Sequence, residues 1–255
     1  MDNTKNSGIT QLNYIMSILT MFENGKPELS VTEIAQETGL SKGAVSRNLQ
    51  AMAIWDLVDQ NPKTKRFSLG MKLFQLGSSV NKVKLLCERS HPVLEKLAKT
   101  TGKTVGLMVR QGCVAISIYQ VDPDIWPLFS PSIGREIPLF AGSSPKILLA
   151  YCPKTTQDEF INSLKVEDSF HDSKIDVDNL RKKLVEIQKT GVSISQGEVD
   201  PGIMSISVPV WGSGNEPIAA LAVLWAEFGS PKSKIKEIIL LAKKASSEIS
   251  KKMGY

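Results

Sequence analysis

Cysteine, histidine and aromatic residues are scarce in this chain, and long apolar runs are missing. Three cysteines, Cys87, Cys113 and Cys152, are odd in number and scattered. They exclude a disulfide framework and point to a reducing cytoplasm. The two histidines are His91, beside Pro92, and His171, in a polar stretch. Neither stands at helical or strand spacing from another metal-ligating side chain, so no metal site is expected. No apolar run approaches the roughly 20 residues of a membrane span. The opening MDNTKNSG lacks the basic and apolar regions of a signal peptide. Neither a membrane nor a cofactor is expected as a partner. Catalysis needs a nucleophile with its base, paired carboxylates or a metal cluster. Cys113 sits at a turn with no histidine near it in sequence. Gly212-Ser213-Gly214 is too short and wrongly placed for a phosphate loop, and reads as a turn. An enzyme is the least favoured class. No internal repeat and no low-complexity segment occurs.

What is present is an ordinary globular composition, 42% hydrophobic and 22% charged over 255 residues, enough for two domains. The formal charge of +5 is modest, but its distribution is uneven. From Ser41 to Lys84 the cations Lys42, Arg47, Lys63, Lys65, Arg66, Lys72, Lys82 and Lys84 face only Asp56 and Asp59. A local cationic excess is the footprint of phosphate neutralisation, although a charge cluster alone is more often a solvated face.

Placement gives that excess its meaning. Ser30 followed by Glu33 is a capping-box pattern that starts a helix, with Val31, Ile34 and Ala35 inward and Gly39 at its end. Ser41 caps a second helix in which Val45, Leu49 and Met52 point inward. Its outer face keeps Lys42, Gly43, Ser46, Arg47 and Gln50. Two short helices meeting at a tight turn form a helix-turn-helix, whose second helix enters the major groove. An ordinary helical hairpin is the bland alternative, and the flanks decide against it. Upstream, Leu12, Ile15, Met16, Leu19 and Phe22 form an apolar helical stripe. Downstream, Leu57-Val58 and Arg66–Leu69 read as strands joined by the turn from Asn61 to Lys65. This hairpin is a wing with Lys63, Lys65 and Arg66 near its tip. The N-terminal domain is expected to be a winged helix-turn-helix over residues 1–69, contacting DNA through Ser41, Lys42, Gly43, Ser46, Arg47, Gln50, Lys63, Lys65 and Arg66.

Leu69, Leu73, Leu76, Val80, Val83 and Cys87 recur at alternating spacings of 4 and 3. This reads as the seam of a linker helix over 70–90 that pairs with its copy in a second subunit. A helix packed on its own domain is the alternative. Residues 91–255 form the next domain. Its expected elements are a helix ending near Gly102, a hairpin of Thr104–Val109 with Val114–Val121, and helices near 144–150, 157–164 and 177–189. Three strands follow, near 192–198, 204–210 and 217–225, then an amphipathic closing helix. Antiparallel strands with helices on their faces make an α+β domain.

Three stretches then carry a resemblance over nearly the whole chain. Leu40–Leu49 is similar to the recognition helix of the IclR family of bacterial transcriptional regulators. Gly134-Arg135 through Pro138–Ala141 to Lys146–Ala150 resembles that family's effector-domain signature. Gly197-Glu198 and Pro201–Ile203, with Val208–Val210 and Pro217–Leu221, resemble its C-terminal strand pair. The resemblance implies a C-terminal GAF-like effector-binding domain, a homodimer or homotetramer, and a small-molecule effector that changes the hold on double-stranded operator DNA.

Residue by residue, the resemblance places effector contacts at Trp126, Phe129, Ser143, Ser144, Ser195, Ser205, Ala222 and Leu224. Phe140 stands where the family commonly has His, and Pro145 where it commonly has Gly. Ser195 replaces an acidic side chain, and Ala222 and Leu224 replace hydroxyls, found in members that bind small acids. Aromatic walls, an apolar floor and serine hydroxyls together imply an aromatic or medium-chain organic acid. Such a ligand needs a cavity of roughly 300 Å3 or more. Buried core is the bland reading of the two aromatics. A DNA-binding protein whose large domain only oligomerises is the second reading of the whole chain.

Overall fold

Local capping chemistry sets the first unit. The Ser30 hydroxyl accepts from the Glu33 N–H while Glu33 Oε2 accepts from the Ser30 N–H at 2.7 Å, closing a reciprocal box. Helix α2 (Val31–Thr38) ends at Gly39, whose φ of 70° lies in the left-handed region that glycine enters without strain. The Ser41 hydroxyl accepts from the Ala44 N–H at 3.2 Å and opens α3 (Lys42–Ile54). Helix α1 (Asn3–Thr20) precedes them, ending in a 3-10 turn at Met21–Asn24. Strands β1 (Val58–Gln60) and β2 (Phe67–Leu69) form the wing, pairing Val58 with Leu69 and Gln60 with Phe67. Leu29 bridges to Phe67 on its other side.

The computed structural model describes residues 3–24, 26–79, 81–123, 133–164, 169–170, 173–214, 216–227 and 234–255. The chain divides into two compact units, Met1–Lys84 and Leu85–Tyr255. Ile18, Phe22, Leu29, Ile34, Val45, Leu49, Met52, Val58 and Phe67 form the core of the first. Ile18 is fully buried, whereas Leu12 and Met16, expected on the inward stripe of α1, are exposed. Helical geometry explains the difference. The inward face is Ile15, Ile18, Leu19 and Phe22, at spacings i, i+3, i+4 and i+7, and Leu12 and Met16 fall outside it.

The linker does not form the single helix expected over 70–90. Helix α4 (Met71–Ser78) ends at Ser79, and α5 (Asn81–Thr101) follows, running through Pro92. Ser79 is the reason for the stop. Its hydroxyl donates to the Gln75 carbonyl at 3.1 Å and its N–H to Leu76, a three-residue closure in place of helical continuation. Pro92 removes one backbone donor, yet Leu86, Val93, Leu94, Leu97 and Ala98 of the same helix are all buried in one core.

In the second unit one antiparallel sheet of six strands has the order β5-β4-β3-β10-β9-β8. The strands are β3 (Thr104–Gln111), β4 (Val114–Val121), β5 (Glu136–Pro138), β8 (Ser193–Gln196), β9 (Ile203–Trp211) and β10 (Pro217–Ala226). Strand alternation sends Ile206, Val208, Val210, Leu221, Val223 and Trp225 to one face, where α5 and α9 (Ile235–Lys252) cover them. Helices α6 (Ser143–Ala150), α7 (Lys154–Ser163) and α8 (Val177–Thr190) build a second core on the other face with Met108, Ala115, Ile137 and Ala220. The short pair β6 (Ser169–Phe170) and β7 (Ser173–Lys174) lies between α7 and α8 in sequence and was not foreseen.

Candidate functional site

Two places in the chain carry candidate chemistry, one in each unit. On α3, Val45, Asn48, Leu49 and Met52 are buried. Lys42, Gly43, Arg47 and Gln50 are exposed, Ser46 is half-buried, and the cap Ser41 is exposed. The inward residues therefore fix the helix by packing and leave a small, polar, doubly cationic face outward. Asn48 is satisfied inside, donating to the Ala44 carbonyl at 3.0 Å and accepting from Gln11. At the wing tip Asn61 Oδ1 accepts from the Lys63 and Thr64 N–H groups, a turn that leaves Lys63 and Lys65 exposed.

Arg66 departs from expectation. Its guanidinium donates to both oxygens of Glu33, at 2.9 and 2.7 Å, and to the Glu28 carbonyl at 3.2 Å. Its charge is neutralised within the fold, so it ties the wing to α2 instead of standing free for phosphate. The Ser30 hydroxyl and N–H, and then Arg66, hold the Glu33 carboxyl at about 2.

The second place is on the sheet face beneath α6. Register explains why a hollow forms there. Ser193 pairs with Ser207, Ser207 with Ala222, Ala222 with Gly106, and Gly106 with Gln120. A row of small side chains thus crosses four strands, and large neighbours surround it. Gly106 has no side chain, and an added Cβ would stand 3.1 Å from the Tyr119 carbonyl oxygen. The next row pairs Ser195 with Ser205 and Ser205 with Leu224.

All six of the expected contacts within the described residues, Ser143, Ser144, Ser195, Ser205, Ala222 and Leu224, line this one cavity. Trp126 and Phe129 lie outside the described residues. The cavity holds about 60 Å3, smaller than the roughly 300 Å3 expected. Met108, Ile137, Ile203 and Leu224 are among its walls, and two more lining residues, Arg135 and Asp200, are bound to each other.

The serines form a network that the sequence reading only half named. Ser143 Oγ lies 2.7 Å from both Ser205 Oγ and Ser207 Oγ, and Ser144 Oγ lies 2.8 Å from Ser207 Oγ. Ser207, fully buried, links the two α6 hydroxyls to the sheet. Strand alternation from Ser205 was the signal that would have found it. Arg135 and Asp200 gave no signal, being 65 residues apart; they make a two-armed ion pair at 2.9 and 3.0 Å. Beside them, Glu198 accepts from Lys146, from the Gly142 N–H at 3.1 Å and from Lys183 at 3.3 Å. Burial raises the Glu198 carboxyl's pKa, but these partners outweigh it and hold the group below the usual range. Burial lowers the Lys146 ammonium's pKa despite Glu198. Among the described residues no cluster of three or more His, Cys, Asp or Glu side chains is placed to hold a metal ion. No helix among them is long and apolar enough to cross a membrane.

Comparison with known proteins gives this arrangement its family. Residues 78–251 match the bacterial transcriptional regulator IclR C-terminal domain, and residues 15–62 match the IclR helix-turn-helix domain. The chain belongs to the IclR family of bacterial transcriptional regulators. Its helix-turn-helix is therefore an IclR DNA-binding unit, and its sheet domain an IclR effector-binding domain. The chain is 25% identical over 208 residues to the regulator XynR of Escherichia coli, covering 82% of each chain. It is 25% identical over 228 residues to E. coli KdgR, covering 89% of this chain and 87% of that one. An IclR regulator of Alicyclobacillus acidocaldarius shares the fold at a TM-score of 0.81, with 23% identity, 96% of this chain and 99% of that one. An IclR homologue of Microbacterium hydrocarbonoxydans, solved with 4-hydroxybenzoate, has a TM-score of 0.82 at 17% identity, over 95% and 98% of the two chains.

Proposed function

We propose that this IclR regulator binds a pseudo-palindromic operator as a homodimer or dimer of dimers in the cytoplasm. A small, partly apolar organic acid, held in the cavity beneath α6, changes its affinity for DNA. The observation that carries the effector half is the convergence of six separately named residues on one cavity, which a positively charged side chain, Arg135, also lines. The solved 4-hydroxybenzoate complex of the Microbacterium homologue makes aromatic acids the first probes.

The DNA half rests on the exposed polar face of α3 and the exposed wing lysines. Lys42, Arg47, Lys63 and Lys65 meet phosphates, and Ser46 and Gln50, with Ser41 and Gly43 at the helix start, approach base edges. The dimer rests on apolar side chains left bare on and before α4: Leu69, Met71, Phe74 and Leu76 are each at least 45% exposed.

One experiment tests both halves. Operator binding is measured against salt, with and without aromatic acids, for the wild type and for Lys42→Ala with Arg47→Ala. The double variant is expected to weaken binding and to flatten the salt slope by about two units, one per lost phosphate contact. Unchanged affinity in the double variant refutes the α3 assignment. Acids that neither raise the melting temperature nor alter DNA binding refute the effector assignment.

A further inference from the structure

Two places at the cavity favour an anion, and the protein already fills both. The first is the N-terminus of α6. There Glu198 accepts from the Gly142 N–H while Lys146 and Lys183 also hold it. Lys146 is only 3% exposed, so Glu198 cannot leave without stranding a buried ammonium. Its anion is structural. The second is Arg135. Its partner Asp200 lines the cavity itself, and Arg135 is the one cation that Asp200 pairs with among the described residues. The Arg135–Asp200 pair has the two-armed geometry that any carboxylate adopts on a guanidinium. Removing Asp200 strands nothing provided another carboxylate takes its place. Asp200 stands on the turn between Gly197 and Gly202, both at positive φ, that joins β8 to β9.

A second observation lies along the same wall. Three side-chain polar atoms among the described residues are shut off from solvent with no hydrogen-bond partner: Ser90 Oγ, Trp225 Nε1 and Gln120 Oε1. Of these residues only Gln120 lines the cavity. Its amide orientation is fixed, because Nε2 donates to both Asp122 oxygens at 2.8 and 2.9 Å and a flipped amide would set oxygen against carboxylate. Thr104 Oγ1 in turn donates to Asp122 at 2.8 Å and holds it. The carbonyl oxygen of Gln120 is therefore an acceptor waiting for a donor. An orphaned buried acceptor is costly and calls for an explanation.

We infer that the effector is a hydroxy acid whose carboxylate replaces Asp200 on the Arg135 guanidinium and whose hydroxyl donates to Gln120 Oε1. This rests on the effector reading above and adds what that reading leaves open: the groups the ligand must carry and the side chains that read them. Asp200 acts as a resident stand-in for the ligand. It keeps the Arg135 charge satisfied in the empty cavity and sets a threshold that only a carboxylate crosses. A neutral molecule of the same shape leaves the ion pair closed.

The test uses calorimetric titration of the full chain with 4-hydroxybenzoate, its amide 4-hydroxybenzamide, and benzoate, which lacks the hydroxyl. The wild type is expected to prefer the hydroxy acid over both analogues. Asp200→Asn frees Arg135 and is expected to tighten hydroxybenzoate binding about tenfold, the gain when a site is otherwise free in about one molecule in ten. The amide's affinity should not move. The charge-neutral double variant Arg135→Gln with Asp200→Asn strands no ion, so it guards against misfolding; it should erase the preference for acid over amide. Gln120→Met should erase only the preference for hydroxybenzoate over benzoate. If acids bind the wild type but Asp200→Asn changes nothing and the double variant keeps its acid preference, the exchange is refuted while the effector reading stands. A wild type without acid-over-amide preference refutes the exchange whatever the variants do. If none of the probes binds any variant, the inference and the effector reading fall together.

Discussion

Single side chains decide how the α2 end of the wing and the α6 end of the cavity hold together. Glu33 serves two structures at once, the capping box of α2 and the ion pair to Arg66. Its carboxyl sits at about 2 in the folded chain against an ordinary 4.5. A carboxyl depressed by folding stabilises the native state above its unfolded pKa, and that contribution disappears as pH falls through the folded value. Melting temperatures of the wild type and Glu33→Gln are therefore expected to differ most near neutral pH. The gap should close between about pH 4.5 and about 2, as the wild-type carboxyl protonates. At the cavity, Ser207→Ala would leave Ser143 and Ser144 with one buried partner fewer. A cost of about 1–3 kcal/mol is expected, read from the shift of the denaturation midpoint.

Elements differ in how openly the sequence declares them. The helix-turn-helix was legible because Ser30, Glu33, Gly39 and Ser41 are local signals, each acting within three residues of itself. The strands β3, β4, β9 and β10 were legible from alternation, and the serines of the cavity followed from the family resemblance. The break between α4 and α5 was not. The apolar repeat runs unbroken from Leu73 to Cys87, and only the hydroxyl closure at Ser79 interrupts it. Nor were the cavity's charges legible: Arg135 meets Asp200, and Lys146 meets Glu198, through contacts that exist only after the sheet has formed. The stop at Ser79 limits any seam before it to α4, which exposes Phe74 and Leu76. Replacing Leu73 and Leu76 by Lys should turn the proposed dimer into monomers at micromolar concentration, by lost apolar burial and like-charge repulsion. Sedimentation that still finds a dimer places the contact elsewhere.

At the scale of the whole molecule, the two units own separate cores, one around Ile18, Leu49 and Phe67, the other two on either side of the six-stranded sheet. Calorimetry of the intact chain is expected to resolve two unfolding transitions. A bound organic acid should raise only the one that belongs to Leu85–Tyr255, by about 2.7 kcal/mol at 100 times Kd. A single transition that shifts as one would mean that the units unfold together. The distribution of thiols offers a means of watching this. Cys152 is buried and Cys87 half-buried, and burial raises the pKa of both, whereas Cys113 stands exposed on the turn between β3 and β4. Thiol reagents act on accessible thiolate. A maleimide dye added to the native protein will therefore label one position, on the hairpin whose strands carry Gly106 and Gln120, and its fluorescence can report ligand entry without a single engineered residue.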